Sequence, residues 1–424
     1  MTKEWKNVIL EDLGFVGRGK SRHRPRNAEF LYGHEFPFVQ TADVKAANFR
    51  INEFTQMYSS EGLKQSKLWP VNTLCVTIAA NIADAALLGI EACFPDSVIG
   101  FIADDEKSDV RFVKYLFDLL QARIKKISQG AAQDNLSLEK LRTIKFLVPP
   151  LPTQRKIAAI LSAYDDLIEN NLKRIKLLEE QAQLTYEEWF VRLRFPGHET
   201  TPINTETGLP EGWEKVKLGE VIEISSSKRI FLSDYVETGI PFYRGKEIIL
   251  KSKNASLTDR LYISPEKFNK IKSRFGAPQK GDLLITAVGT LGYPYLVTDT
   301  DGDFYFKDGN LIWFKGNKSI SSIYLISCLK NSQFKKHLYN IAIGSSQKAL
   351  TIKSLKGLQI LKPNEKTSKS YDNLVEPILD SVECLQNQNQ LLKEARDILL
   401  PRLMTGMIDV DKLDVPIKQN ENAL

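Results

Sequence analysis

The spacing of apolar residues divides the chain into two kinds of segment. After Pro152, the positions Ile157, Leu161, Tyr164, Ile168, Asn171, Ile175, Leu178, Ala182, Thr185 and Trp189 follow in alternating steps of four and three, the seam of a heptad repeat. After Pro363, Tyr371, Val375, Ile378, Val382, Leu385, Asn389, Leu392, Arg396 and Leu399 do the same. The spacing predicts two helices of about 35–40 residues, roughly 50–60 Å each, and each seam carries one asparagine of the kind that fixes register, Asn171 or Asn389. The rest of the chain, about 1–150 and 200–363, reads as mixed α/β. Short β-rich runs such as EFPFVQ, TLCVTIA, DLLITAV, DFYF and NLIWFK are bounded by Gly, Asn and Asp, and a helical stretch at Val110–Ile127 is answered by one at Ser322–Tyr339.

These two halves are copies. The stretch QGAAQDNLSLEKLRTIKFLVP, ending at Pro149, aligns with IGSSQKALTIKSLKGLQILKP, ending at Pro363, and sets Gly130 on Gly344, Gln133 on Gln347, Leu136 on Leu350 and Leu141 on Leu355. Upstream, Trp5-x-x-Val8-x-Leu10 matches Trp213-x-x-Val216-x-Leu218, FPFVQTADV at Phe36 matches IPFYRGKEI at Ile240, and VTIAANIA at Val76 matches ITAVGTLG at Ile285. The expected organisation is a first module over 1–150, a conserved helix over 151–195, a second module over 196–363, a second conserved helix over 364–406 and a tail over 407–424.

Composition narrows the class. The 424 residues are 42% hydrophobic and 26% charged, and 58 Lys+Arg against 52 Asp+Glu leave +6, a mild excess that permits nucleic acid without requiring it. Cys75, Cys93, Cys328 and Cys384 lie far apart with no C-x-x-C pair, so a disulfide framework or thiolate metal site is not indicated and a reduced, cytoplasmic setting is expected. No apolar run approaches the ~20 residues of a membrane span, and the N-terminus lacks the apolar core of a signal peptide. Four histidines without an H-E-x-x-H do not support a metal hydrolase.

One motif invites a nucleotidase. From Gly14 to Ser21 the chain reads GFVGRGKS, a literal G-x-x-x-x-G-K-[ST]. The phosphates of such a loop meet the start of a helix, yet RHRPRNAEF follows, with Pro25 and several cations where the helix should begin. The second copy reads ISSSKRIF at this place: Lys228 matches Lys20, the glycines are gone, and NLIWFKGN stands where an acidic magnesium strand is needed. Two copies of one module should share their essential chemistry, and these share no nucleotide site.

They do share positive charge. Arg18, Lys20, Arg22, Arg24 and Arg26, with His23, form a run free of acids, and Lys228-Arg229 is its shorter counterpart. Such runs suit DNA phosphates, and a duplicated module suits two half-sites about one helical turn apart. The candidate DNA-binding residues are Arg18, Lys20, Arg22 and Arg24 for phosphates and Gln40, Thr41, Asn81 and Gln133 for the groove. In the second module they are Lys228, Arg229, Tyr243, Arg244, Lys246, Thr290, Gln347 and Lys348, with Lys20/Lys228, Gln40/Arg244 and Gln133/Gln347 the aligned pairs. Trp189, Phe190 and Leu193, with Leu399, Leu400 and Leu403, form candidate partner surfaces on the helices, a role that competes with packing inside the chain.

The segments PPLPTQRKIAAILSAYDDLIENNLKRIKLLEEQAQLTYEEWFVRLRFPGHE (149–199) and NQNQLLKEARDILLPRLMTGMIDV (387–410) resemble the two conserved regions of type I restriction-modification specificity subunits. The W-x-x-V-x-L module start, the PF segment and G-x-x-Q-x-x-L before each conserved helix are also similar to the family's, so the resemblance spans nearly the whole chain. It implies mixed α/β (α+β) target recognition domains, duplicated with pseudo-two-fold symmetry and joined by two long antiparallel coiled-coil helices acting as a ruler. Each domain would read half of an asymmetric, interrupted site in double-stranded DNA. The helices would dock two methyltransferase subunits, and the assembly can recruit a motor-nuclease (restriction) subunit. The resemblance implies no catalysis by this chain and no cofactor of its own, with S-adenosylmethionine and ATP/Mg on the partners. In agreement, LVPPL at Val148 lacks the Asn or Asp and the aromatic of an adenine-methyltransferase N-P-P-Y, and FVGRG at Phe15 is not followed by a cofactor fold. A stand-alone bipartite DNA-binding regulator is the rival reading, opposed by the apolar helix surface left over for docking.

Overall fold

The computed structural model describes residues 5–79, 82–128, 136, 138–253, 257, 259–316, 319–344 and 348–416; Asn81, Gln133 and Gln347 lie outside them. The chain folds as two compact units, Met1–Lys173 with Asn387–Leu424, and Arg174–Gln386. Each unit therefore holds one module together with parts of both long helices. Among the described residues no helix is long and apolar enough to cross a membrane.

In the first unit, Lys6–Val8 pairs antiparallel with Phe146–Val148, so the module's beginning is clamped to its end. A five-stranded sheet follows the order Gly14–Arg18, Val98–Ala103, Leu74–Thr77, Ala85–Leu88, Arg50–Ile51, with the last pair parallel. All four residues of Leu74–Thr77 are buried, as expected of a strand covered on both faces. A second sheet orders Gln56–Tyr58, Tyr32–Phe38, Ala92–Cys93 and Leu68–Trp69. The helix Val110–Ser128 closes a core in which Phe101, Phe112, Tyr115, Phe117 and Phe146 meet Ile157 and Leu161 of the central helix and Leu403 and Met404 of the terminal helix.

The second unit repeats this plan. Glu214–Lys217 pairs with Gln359–Lys362, and one four-stranded sheet orders Glu223–Ser225, Leu311–Lys315, Leu283–Thr286 and Pro294–Leu296. The other orders Tyr235–Val236, Leu261–Ile263, Ile240–Tyr243 and Tyr305–Phe306, the last pair parallel. The helix expected over Ser322–Tyr339 is two helices, Ser322–Lys330 and Ser332–Ile341. Asn331 ends the first and caps the second, its side chain accepting from the backbone N–H of Gln333 and Phe334 at 3.0 and 3.3 Å.

The two heptad seams face each other, their positions buried or half-buried. The central helix runs Leu151–Tyr186 and the terminal helix Glu365–Met404. In the first unit Asp165 meets Arg396 and Asn171 meets Asn389; in the second, Ile175 packs with Val382 and Leu385. Numbers rise on one helix as they fall on the other, so the pair is antiparallel within each unit. The central helix ends in a π turn over Glu187–Val191. The wider turn brings the consecutive residues Trp189 and Phe190 into one core, where Phe190 lies 4.9 Å from Tyr371 and 4.7 Å from Tyr324, ring centre to ring centre.

Candidate nucleic-acid interface

The glycine-lysine motif of the first module is strand and turn. Gly14–Arg18 is an edge strand paired with Val98–Ala103, and the backbone N–H of Gly19 and Lys20 donate to the carbonyls of Val98 and Phe94. Its glycines serve packing: a Cβ on Gly14 would stand 2.2 Å from the Ile102 carbonyl oxygen, and one on Gly19 2.3 Å from that of Pro95. No helix follows within reach of a phosphate, the next helical residues being the 3₁₀ turn Glu29–Leu31.

The cationic run is stitched into a loop. Arg26 grips the Asp96 carboxylate with two bonds of 2.7 and 2.9 Å, Arg18 donates from Nε to the Asp96 carbonyl, and Arg24 donates to the carbonyls of Ser21 and His23. Arg18 and Arg24, candidates for phosphates, thus spend donors on the loop itself. Lys20 and Arg22 are exposed, and no side-chain partner for either stands among the described residues. Beside Lys20, the Lys67 ammonium lies 3.7 Å from the ring centre of Trp69 and 4.8 Å from that of Phe15, which is itself exposed. Burial, and then the charge of Lys20, lower the Lys67 pKa. Gln40 and Thr41 are half-buried, and Gln40 donates from Nε2 to Gln56 Oε1.

The second module places its candidates unevenly. Lys228 stacks its ammonium 4.4 Å from the Phe275 ring, and Arg229 pairs with Asp308 at 3.1 Å. Phe231 and Leu232, just beyond, are exposed. Lys246 and Thr290 are exposed, and Lys348 covers the Tyr339 ring at 3.7 Å. Tyr243 is a correction: it is buried against Phe304 in a core, ring centres 5.0 Å apart, and presents no face to a groove. Arg244, Lys246 and Thr290 converge on a cleft of about 470 Å³. That cleft includes Asn310, which residue type alone does not single out, and its Arg244 is bound by the buried carboxylate of Glu247, which in sequence looks like a solvated helix position.

The candidate partner residues are corrected as well. Trp189, Phe190 and Leu403 are buried in the cores of their units, and Leu193, Leu399 and Leu400 are half-buried against the same cores, so the chain's own packing takes up their apolar surface. Other side chains remain uncovered. Leu177 and Leu184 of the central helix are 65% and 57% exposed; Leu391 and Ile398 of the terminal helix are 65% and 56% exposed. Leu391 and Ile398 stand at the repeat offset that sets Pro149 on Pro363, so each unit carries the same exposed apolar pair, seven residues apart. Laying one copy's helix over the other, outside the seam, is the signal that finds them.

A family model described as type I restriction modification DNA specificity domain matches residues 2–180 and again 210–394. The chain is 24% identical over 424 residues to the type I restriction enzyme MjaIX specificity subunit of Methanocaldococcus jannaschii, covering 97% of this chain and 95% of that one. It is 28% identical over 268 residues to a putative type I restriction enzyme specificity subunit of Haemophilus influenzae, 61% of this chain and 60% of the other. Among solved structures, the S subunit of a type I restriction-modification system from M. genitalium aligns over 94% of this chain and 96% of its own length with a TM-score of 0.58 at 16% identity, a likeness of fold.

Proposed function

With both of its halves matched, the chain belongs to the type I restriction-modification DNA specificity family, and on that premise we propose how this specificity subunit works. Each module reads one half of an interrupted site in double-stranded DNA. In the first, Lys20 and Arg22 contact phosphates beside Lys67; in the second, Lys228 contacts phosphates and the Arg244 cleft meets the groove. The two long helices link the modules in sequence and serve as spacer and docking element.

The observation that carries the assembly is the repeated exposed pair, Leu177/Leu184 and Leu391/Ile398. Isolated exposed leucines need no explanation. The same pair at the same repeat position on two helices is what two copies of one partner require, and we assign it to two methyltransferase subunits. Catalysis then belongs to the partners, which bring S-adenosylmethionine and, where a restriction subunit joins, ATP and magnesium; the setting is the cytoplasm, where the DNA is.

The test is a methylation map. The chain is expressed with its methyltransferase subunit in a host without DNA methylation, and the genome is read for modified bases. A two-part gapped motif that disappears when this chain is omitted is expected. Modification that is absent, or that ignores this chain, overturns the reading.

A further inference from the structure

The cleft of the second module holds an arginine whose geometry is fixed from beneath. Arg244 follows the strand Ile240–Tyr243 and, with Lys246, Ile249, Val288, Thr290 and Asn310, lines the cleft of about 470 Å³. The Glu247 side chain, 1% exposed, accepts from Arg244 Nε at 3.1 Å, from Nη2 at 2.6 Å and from the Arg244 backbone N–H at 2.8 Å. A buried carboxylate needs such a counter-charge, and the hydrogen bond to Glu247 raises the guanidinium's pKa against the pull of burial.

Donor counting shows what is left. A guanidinium has five N–H groups. Glu247 takes the lateral edge, Nε and one N–H of Nη2. The end-on edge, one N–H each from Nη1 and Nη2, has no partner among the described residues. Two parallel donors held in one plane match the paired acceptors O6 and N7 that guanine displays in the major groove. A phosphate contact needs no such fixation, and the exposed Lys228 and Lys246 can supply it.

We infer that Arg244 reads a guanine in the half-site of the second module, with Glu247 as its positioning residue; this rests on the DNA-reading function proposed above. The repeat provides a second instance. Gln40 occupies the aligned place after the strand Tyr32–Phe38, and Asp43, 7% exposed and three residues on as Glu247 is, accepts from the Gln40 backbone N–H at 2.8 Å. With one Nε2 hydrogen committed to Gln56, the Gln40 amide keeps one donor and its oxygen acceptor, the pair that matches N7 and N6 of adenine. The two modules thus carry the same reading position with different bases assigned to it.

The experiment compares methylation maps for the wild-type chain, Arg244→Gln, Glu247→Gln and Gln40→Arg, each expressed with the methyltransferase subunit and checked for folding by thermal melt. Arg244→Gln should leave the first half-site and the gap intact and lower the preference for guanine at one position of the second half-site by about ten- to a hundredfold. Glu247→Gln should relax the same position to a smaller extent. Gln40→Arg, which removes no buried counter-charge, should move one adenine of the first half-site toward guanine, so the inference stays testable even if Arg244→Gln melts early. A second half-site without guanine, an unchanged motif in a folded Arg244→Gln, or an equal loss at all sequences, the mark of a phosphate contact, overturns the inference while leaving the specificity function standing. A wild-type chain that directs no gapped motif overturns that function instead.

Discussion

Asn171 donates from Nδ2 to Oδ1 of Asn389 at 3.0 Å in the middle of a mostly apolar seam, both residues 1% exposed. The remaining polar atoms, Asn171 Oδ1 and Asn389 Nδ2, are buried without a partner among the described residues. A polar pair of this kind lowers stability and selects register, because any slip leaves each amide facing leucine or valine. Asn171→Leu should therefore cost about 1–3 kcal/mol by stranding Asn389. The double Asn171→Leu, Asn389→Leu should recover the wild-type value or exceed it. Chemical denaturation measures both, and a single variant more stable than wild type would refute the role of the pair.

Alkaline pH should weaken the fold through its buried tyrosines. Burial, then the charge of Asp165 and the Tyr115 hydroxyl's hydrogen bond to that carboxylate, push the Tyr115 pKa well above its ordinary value. Asp165 in turn is ion-paired with Arg396, whose pKa stays raised because Asp165 and Asp397 outweigh the lowering effect of burial. The folded state holds the Tyr115 proton more tightly than the unfolded chain. Its contribution is thus complete below the unfolded tyrosine pKa of about 10 and is lost as pH rises from there toward the folded value. Tyr186 and Tyr324 are raised in the same direction, by burial first. In denaturation curves between pH 9 and 11, Tyr115→Phe should reduce the fall of stability by up to about 1.4 kcal/mol per pH unit. An unchanged slope would place the titration elsewhere.

The sequence carries the local patterns and misses the contacts that join distant segments. A heptad is written in consecutive residues, so both seams, including Asn171 and Asn389, are legible, and the duplication is legible because the two copies keep Gly, Gln, Leu and Pro at one spacing. The pairing of Lys6–Val8 with Phe146–Val148 is not, since both ends of a repeat can be aligned without showing that they touch. Trp189 and Phe190 read equally as docking surface or core, because helix periodicity does not say what covers a face. Glu247 is not legible because a glutamate on a short helix looks solvated; the ion pair with Arg244 makes its burial tolerable. The nucleotide-loop match misleads for a related reason, as the glycines answer to Ile102 and Pro95, far along the chain.

The exposed pairs on the helices make the partner assignment quantitative. Leu177→Glu with Leu184→Glu should remove one methyltransferase subunit, Leu391→Glu with Ile398→Glu the other, and all four changes both. Exposed substitutions of this kind usually alter stability by no more than about 0.5 kcal/mol, so the melting temperature should hold. Mass determination of the purified complex by light scattering counts the subunits. Full assembly by the fourfold variant would show that the partners dock elsewhere.

Lys20 separates the DNA reading from the nucleotide reading in one substitution. Its backbone is pinned on both sides, the N–H to the Phe94 carbonyl at 3.0 Å and its own carbonyl to Ser66 Oγ at 2.8 Å, so replacing the side chain leaves the loop's hydrogen bonds in place. What Lys20→Ala removes is an exposed ammonium next to Lys67, which lies over the exposed Phe15 ring. If that ammonium neutralises one phosphate, the slope of log affinity against log salt should fall by about 0.9, with the loss shared by specific and unrelated sequences because phosphates carry no base identity. A loss confined to the specific site would make Lys20 a base reader. A change in ATP affinity with DNA binding intact would restore the nucleotide loop, against a strand whose glycines have no room for any side chain and no helix to offer a phosphate.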